Sequence, residues 1–370
     1  MTTTGKQLFT TLEENGTLTL ELADSQFPAP TGNQVLVKME AAPINPSDLA
    51  ILTTGADFEN AEYSPGKVVA QVPPNFAAGA KSRHGQRLPA GNEGAGTVVA
   101  TGDGDMAKDL MGQRVACVPG AAYAEYALVD ASMCLPLGDH SARDGASSFV
   151  NPMTALGFVE TAKAEGHDAI IHLAAASNLG QMLNRICQDD GMKLVNIVRK
   201  SEQADLLREQ GATHIVNSSD DDFMGQLRDA IAETGAFLGF DPIGGGQNTD
   251  NCLKAMEQVA VKQMTEYSRY GSNQAKKMYI YGRLDLGPTI LTPSYGFGWT
   301  VSGWLLTPFL QQAGMETVMR MRKRVSDELT TTFASHYKET VDLEGMLARD
   351  AIMDYRQMRT GEKYLVMPNG

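Results

Sequence analysis

The sequence predicts an α/β chain of two domains, a compact β-barrel and a doubly wound parallel sheet. Three observations predict it. The stretch Asp168–Lys200, DAIIHLAAASNLGQMLNRICQDDGMKLVNIVRK, reads as strand, tight turn, helix and second strand, a βαβ unit. Residues 1–140 alternate apolar and polar positions between glycine and proline turns. Beyond the βαβ unit, strand and helix patterns keep alternating, as a parallel sheet covered on both faces requires. A chain of 370 residues is long enough for two separate cores.

Taken in order, Gln7–Leu22 and Gln34–Ala42 read as strands of the β-rich domain. In APINPSDLAIL, Ala42–Leu52, two prolines and Asn45 make a turn and Ser47 is placed to cap a short helix. Thr53–Pro89 is rich in Gly, Pro and Ala without clear periodicity, which predicts a functional loop or an insertion. From Leu88 the chain reads as strands separated by Gly91, Gly94, Gly96, Gly102 and Gly104, the tight corners of a barrel. After the link Pro136–His140, Ala142–Ala164 is helical and the βαβ unit follows. SEQADLLREQGA is a helix capped by Ser201, THIVNSS a strand, DDFMGQLRDAIAETG a helix, and AFLGFDPIGGG a strand entering a glycine loop. NCLKAMEQVAVKQM is a helix, Met278–Leu284 a strand, Pro308–Thr332 one long helix, and GEKYLVM a terminal strand. The expected division is 1–140, completed by 311–370, against 141–310.

The net charge of −13, with 42% hydrophobic and 20% charged residues, argues against nucleic acid or an anionic membrane as the main partner. The basic run Arg320–Arg324 reads as a solvated helix face. No apolar run is long enough to span a bilayer and the N-terminus lacks a cleavable signal, which predicts a cytoplasmic protein. Cys117, Cys134, Cys187 and Cys252 are scattered with no C-x-x-C pair, so buried thiols are expected rather than disulfides or a zinc lobe.

Chemistry concentrates in the βαβ turn. Ala174–Gly180 are nearly all small, so the backbone can approach a phosphate while the following helix points its N-terminal amides at it. The three positions of a G-x-G-x-x-G turn are filled by Ala175, Ser177 and Gly180, a weak match that a turn with no ligand would also satisfy. Arg199 and Lys200 end the second strand where a dinucleotide's adenosine ribose would lie, and two cations there favour a 2′-phosphate, hence NADP(H) over NAD(H). His172, on the first buried strand, reads as a core histidine.

Several segments together resemble the medium-chain dehydrogenase/reductase superfamily, in its zinc-free quinone oxidoreductase and enoyl reductase branch. They are INPSD at Ile44–Asp48, GNEGAGTVV at Gly91–Val99, AYAEY at Ala122–Tyr126, NPMTAL at Asn151–Leu156, AAASNLG, REQGATHIVN, FDPIGGG, YGRL and GEKYLV. The resemblance implies a GroES-like β-barrel catalytic domain, built from the N-terminal part plus the tail, and an inserted Rossmann dinucleotide-binding domain, with the active site in the cleft. It places Asn45 and Asn92 where zinc-dependent members carry thiolate and imidazole ligands. Neutral amides bind zinc poorly, so no metal is expected.

By the same resemblance NADPH is the cofactor. Asn45 would lie near the nicotinamide and substrate, and Asn151 and Thr154 near the carboxamide. Ser177, Asn178 and Leu179, with Ala175 and Gly180, would meet the pyrophosphate. Asp241, Ile243 and Gly244, with Tyr281, Gly282 and Arg283, would flank the adenosine half, and Gly303 and Trp304 would reach the nicotinamide beside a homodimer interface. Enoyl thioester reductases carry a catalytic tyrosine soon after INPSD; here the nearest is Tyr63, a proton donor or a packing aromatic. The expected activity is hydride transfer from NADPH to a quinone or an α,β-unsaturated carbonyl compound. A 2-enoyl thioester reductase, with Lys67, Lys81, Arg83 and Arg87 as a basic rim for a carrier, is the alternative within enzymes, and an NADPH-binding protein without turnover the alternative outside them.

Overall fold

The structure is a computed structural model that describes residues 2–53, 55–359 and 363–370. Two compact units divide the chain, one made of the residues up to Val150 together with Arg322–Gly370, the other of Asn151–Met321.

The first unit is built on two sheets. A five-stranded one holds Thr3–Leu12 and Thr17–Phe27, paired antiparallel in full register from Thr3 opposite Phe27 to Leu12 opposite Leu18. In the second sheet Gln34–Pro43 is central: it pairs with Gly94–Thr101, with Tyr126–Asp130 and, at its end, with Tyr364–Val366. The C-terminal strand therefore completes a sheet begun more than 300 residues earlier. Inward-facing Leu8, Leu18, Leu20, Val35, Val37, Met39 and Val98 form its core with Phe58, Met346 and Ile352.

The segment expected as a loop or insertion is regular instead. Asp57–Ser64 and Lys67–Gln71 form an antiparallel hairpin, and Pro74–Gly79 a short helix; Thr54 lies outside the described residues. The alternation was hidden because Phe58 alone is buried on the first strand and its register slips between Asp57 and Glu62.

The second unit carries six parallel strands in the order His214–Asn217, Lys193–Val198, Ala169–Leu173, Leu238–Asp241, Lys276–Ile280, Trp299–Gly303. Strand order reverses at Ala169–Leu173, and ligands of open α/β sheets bind outside the strand C-termini at such a point. Ala169–Leu173 and Leu238–Asp241 are buried throughout, which explains their unbroken apolar text.

Three helix details differ from expectation. Asn45, not Ser47, is the N-cap of Pro46–Leu52, since Pro46 already has the helical position and Ser47 follows it. Likewise Lys200 is the N-cap of Ser201–Glu209, and Ser201 is its first helical residue. The long helix is Leu306–Asp327 and breaks at Gly314, whose φ of 81° and ψ of 158° no helix contains. The basic run is a solvated face at Arg320 and Lys323, which are exposed, while Arg322 and Arg324 are half-buried; all four have partners. Arg320 forms a bidentate pair with Glu160, Arg322 donates to the Ser132 and Cys134 carbonyls, Lys323 pairs with Asp327, and Arg324 with Glu328. All four cysteines are buried free thiols. Among the described residues no helix is long and apolar enough to cross a membrane.

Candidate active site

The βαβ turn is shaped by contacts that small residues alone permit. Ala174 takes φ of 50°, a left-handed conformation that costs an alanine about 1–2 kcal/mol. Ser177 caps the helix Asn178–Asp190, its Oγ accepting from the Gly180 N–H at 3.1 Å. A Cβ on Gly180 would stand 2.1 Å from the Ala175 carbonyl oxygen, so helix and turn pack backbone to backbone. Ala175 is buried and Asn178 and Leu179 open the helix, leaving its first amides at the strand C-termini.

Arg199 and Lys200 follow the neighbouring strand and are exposed. Neither has an ion-pair partner among the described residues. The Arg199 N–H donates to Gln203 and its carbonyl accepts from Ser219 Oγ, so the backbone is fixed while both cations remain available.

Asp241 is fully buried and committed to loop geometry. Its Oδ1 accepts from the Ile243 and Gly244 N–H groups at 2.7 and 3.2 Å, and its Oδ2 from Thr249 Oγ1 at 2.8 Å. Gly244 has φ of 77° and faces the Gly282 carbonyl, bringing the glycine loop against Tyr281–Arg283. The Tyr281 hydroxyl lies 2.8 Å from His172 Nε2. Burial lowers that imidazole to about 3, so His172 stays neutral, as a core histidine should. Arg283 is exposed; Gly303 ends the edge strand in the open, whereas Trp304 turns inward, meeting Phe158 edge to face, stacking on Phe309 and donating Nε1–H to Thr161 at 3.1 Å. In the helix Val150–Ala164, Asn151 is half-buried and Thr154 buried.

In the first unit, Asn45 is 1% exposed and belongs to a polar cluster. Its N–H donates to Asp48 Oδ2 at 2.9 Å, and the Asn92 N–H to Asp48 Oδ1 at 2.8 Å. Its Nδ2 donates to Glu93 Oε1 at 2.9 Å, while Glu93 Oε2 accepts from the Phe149 and Val150 N–H groups, both at 2.9 Å. Close by, Ser147 Oγ lies 2.6 Å from Lys363 Nζ and 3.1 Å from the Tyr337 hydroxyl. Burial lowers the Lys363 ammonium to about 8, against the pull of Glu93 and Asp48. Glu93, Asp48, Ser147, Tyr337 and Lys363 were not singled out from the sequence. Glycines on both sides of the Asn92–Glu93 pair were the one available signal, marking a place where a charged residue is held in a tight turn.

Tyr63, by contrast, lies on the hairpin strand Asp57–Ser64 and donates its hydroxyl to the Phe58 carbonyl at 2.8 Å. Of the basic residues of this segment Lys81 is exposed, while the other three have partners. Lys67 and Arg87 share Glu21, at 3.5 and 3.8 Å, and Arg83 is tied to Thr10 Oγ1.

Residues 31–139 match the alcohol dehydrogenase GroES-like domain family. A crystal structure from Mesorhizobium loti, described as an NADPH:quinone reductase, superposes with a TM-score of 0.74 at 26% identity, covering 99% of this chain and 98% of that one. Residues 31–139 thus belong to that domain family, and the chain is similar in fold over its whole length to the Mesorhizobium loti protein. Mitochondrial enoyl-acyl-carrier-protein reductase of Bos taurus is 29% identical over 54% of this chain and 49% of its own length. Quinone oxidoreductase of Rattus norvegicus is 24% identical over 63% of this chain and 64% of its own length. The chain spans about half the length of the first curated relatives it matches.

No group of three His, Cys, Asp or Glu that could hold a metal occurs among the described residues. With neutral Asn45 and Asn92 at the positions where the resemblance implies zinc ligands in other members, elemental analysis should find well under one zinc per chain, and chelators should leave activity unchanged. One zinc per chain, lost together with activity, would overturn this.

Asp48 supplies a pH prediction. Burial raises its carboxyl from 3.8 to about 6, although the Asn45 and Asn92 N–H groups oppose the rise. A folded-state value above the unfolded one means the contribution to stability is present below pH 4 and lost as pH rises through 6. The stability advantage of wild type over Asp48→Asn should therefore shrink by about 2 kcal/mol between pH 4 and pH 7. Denaturant titrations across that range check it; a constant difference would contradict it.

Proposed function

We propose that the chain is a zinc-independent oxidoreductase that reduces a quinone or an α,β-unsaturated carbonyl compound with NADPH. The observation that carries this reading is the pair Arg199 and Lys200, exposed and without ion-pair partners among the described residues, beside a turn closed around Gly180. That donor set fits a dinucleotide with a 2′-phosphate. Bound NADPH would supply the hydride. The chain's part is placement: the amides after Ser177 serve the pyrophosphate, the Ile243–Gly244 loop and Tyr281–Arg283 the adenosine half, and Thr154 the nicotinamide end, while Asn45 of the first unit is proposed as a catalytic residue. Asn151, Gly303 and Trp304 complete that end. In this reading the first unit is the catalytic domain and the second the cofactor-binding domain, acting in the cytoplasm without nucleic acid or membrane.

A 2-enoyl thioester reductase is the second reading, favoured by the likeness to the bovine enoyl reductase. It is weakened by the commitment of the Tyr63 hydroxyl to Phe58 and by the pairing of Lys67 and Arg87 with Glu21. Steady-state NADPH oxidation with a quinone panel against crotonyl-CoA separates the two, and a strong thioester preference would replace the first with the second. NADPH binding without oxidation of any acceptor would point to a non-catalytic protein.

The same reading includes a homodimer. Trp299–Gly303 is the last strand of the parallel sheet, followed by Leu305 at 65% exposure and preceded by Phe297 at 81%. An open edge flanked by apolar side chains favours pairing with a second copy. Sedimentation at micromolar concentration should give a dimer; monomer alone would count against it.

A further inference from the structure

Cys117 and Cys134 stand directly opposite each other on antiparallel strands, in a ladder that continues with Ala116 opposite Leu135 and Val115 opposite Pro136. Opposed residues of such a ladder project from the same face, and both thiols are buried in one core of the first unit, at 2% and 4% exposure. Opposite Cα atoms lie about 4.5–5.5 Å apart, within the span of about 4.4–6.8 Å that a disulfide bridges. Neither sulfur is held firmly. Cys117 Sγ meets Met39 Sδ at 4.0 Å and Cys134 Sγ the Asp130 carbonyl at 3.8 Å, and a thiol is a weak donor.

The two strands are unequal. Arg114–Cys117 is an inner strand, paired on its other side with Gly94–Thr101, whereas Cys134–Pro136 is three residues long and ends its sheet. Pro136 has no N–H to give the ladder. Short edge pairing of this kind opens locally at low cost, without unfolding the domain. In the closed fold burial pushes both thiols up, while the Arg322 guanidinium pulls Cys134 the other way. That cation donates to the Ser132 and Cys134 carbonyls, so it is bonded to the segment that opens and stays beside the sulfur once burial is lifted.

We infer that Cys117 and Cys134 are a cross-strand redox pair, which a small disulfide or another two-electron thiol oxidant converts to an internal disulfide. The step begins at Cys134. Its thiol loses a proton to water, and the thiolate attacks one sulfur of the reagent disulfide, releasing the other half as a thiolate. Cys117, deprotonated in turn, attacks Cys134 Sγ; a sulfur–sulfur bond forms within the chain and the second half of the reagent leaves. Two protein thiols are oxidised and one reagent disulfide is reduced to two thiols. The loop so closed, 118–133, contains Ala122 and Tyr123, whose N–H groups bond to the Gly91 and Ala90 carbonyls next to Asn92 and Glu93. Oxidation therefore tethers the segment that backs the Asn45–Glu93 cluster.

The probe is dithiodipyridine, a small disulfide whose reduced form absorbs light, so that each thiol consumed is counted. Wild type, shown to stay folded by circular dichroism, should release two equivalents and finish two hydrogens lighter, with Cys117 and Cys134 in one cross-linked peptide. Cys134 should react at least about 10-fold faster than Cys187 and Cys252, which lie within helices of the second unit. The Cys117→Ala variant should stop at a stable mixed disulfide on Cys134, and Cys134→Ala should leave Cys117 unreacted over the same time. No reaction of wild type, reaction of all four cysteines at one rate, a mixed disulfide that persists in wild type, or cross-linking of any other pair overturns the inference. If the variants do not fold, hydrogen exchange of the wild type decides. Amides of 118–136 must exchange more slowly after oxidation and regain their rate on reduction with dithiothreitol, and unchanged exchange overturns the inference.

Discussion

Replacing Arg199 and Lys200 together by neutral residues should weaken NADPH binding by about two to four orders of magnitude, since each charge-assisted contact contributes roughly 1.5 to 3 kcal/mol and 1.4 kcal/mol is a factor of ten. NADH has no phosphate at that point and should change little. The fixed backbone at Arg199, tied to Gln203 and Ser219, means that the side chains can be altered without disturbing the strand end. Dissociation constants for both cofactors, measured at one ionic strength and repeated at higher salt, decide the matter, because screening erodes long-range attraction more than direct contact. If neither affinity responds, the cations are solvent-facing only. Equal loss for both cofactors would mean damage to the turn.

The largest stability effect is expected at a buried ion pair in the second unit. Lys276 Nζ lies 2.6 Å from Glu257 Oε2, 3.0 Å from Ser272 Oγ and 2.6 Å from the Gln274 carbonyl, and its side chain is fully buried. Glu257 also accepts the Ser272 N–H at 2.8 Å and the Ser272 hydroxyl at 2.5 Å. Lys276→Met should cost about 3 to 5 kcal/mol, because the carboxylate stays behind in a place water does not reach. Lys276→Met with Glu257→Leu should recover much of that loss, since no charge then remains buried. Burial by itself would raise the Glu257 carboxyl, yet the bonds from Lys276 and Ser272 hold it below the usual range. Its contribution to stability is therefore present at neutral pH and lost as pH falls through the carboxylate range. Chemical denaturation of the three proteins tests this, and a single variant as stable as wild type would refute it.

The parallel sheet was readable because its strands are buried on both faces: Ala169–Leu173 and Leu238–Asp241 are apolar at nearly every position, which no surface strand allows. The turn at Ala175, Ser177 and Gly180 was readable for a related reason, since small residues are what close backbone packing demands. The hairpin Asp57–Gln71 was not, because its outer strand, DFENAEYS, buries one residue and its polar text resembles a loop. The cap of Pro46–Leu52 depended on a proline that shifts the helix start forward by two residues. Glu93 escaped for a deeper reason: its partners Phe149 and Val150 are 56 and 57 positions away, and hydrogen bonds to backbone leave no trace in side-chain pattern. Local text specifies what packs against its own neighbours; groups joined across the fold appear only when it is assembled.

The four buried cysteines bear on what the chain can tolerate chemically. Burial pushes the Cys117 thiol well up, that of Cys134 to about 12, and that of Cys252 up as well, so these sulfurs remain protonated at any physiological pH. Quinones and enones are soft electrophiles that alkylate thiolates by conjugate addition, and the thiolate is the reactive form. A protein that handles such compounds turnover after turnover would be poisoned by an accessible, ionised cysteine near its surface. Keeping all four cysteines buried leaves no exposed thiol to meet the class of molecule this chain is proposed to reduce.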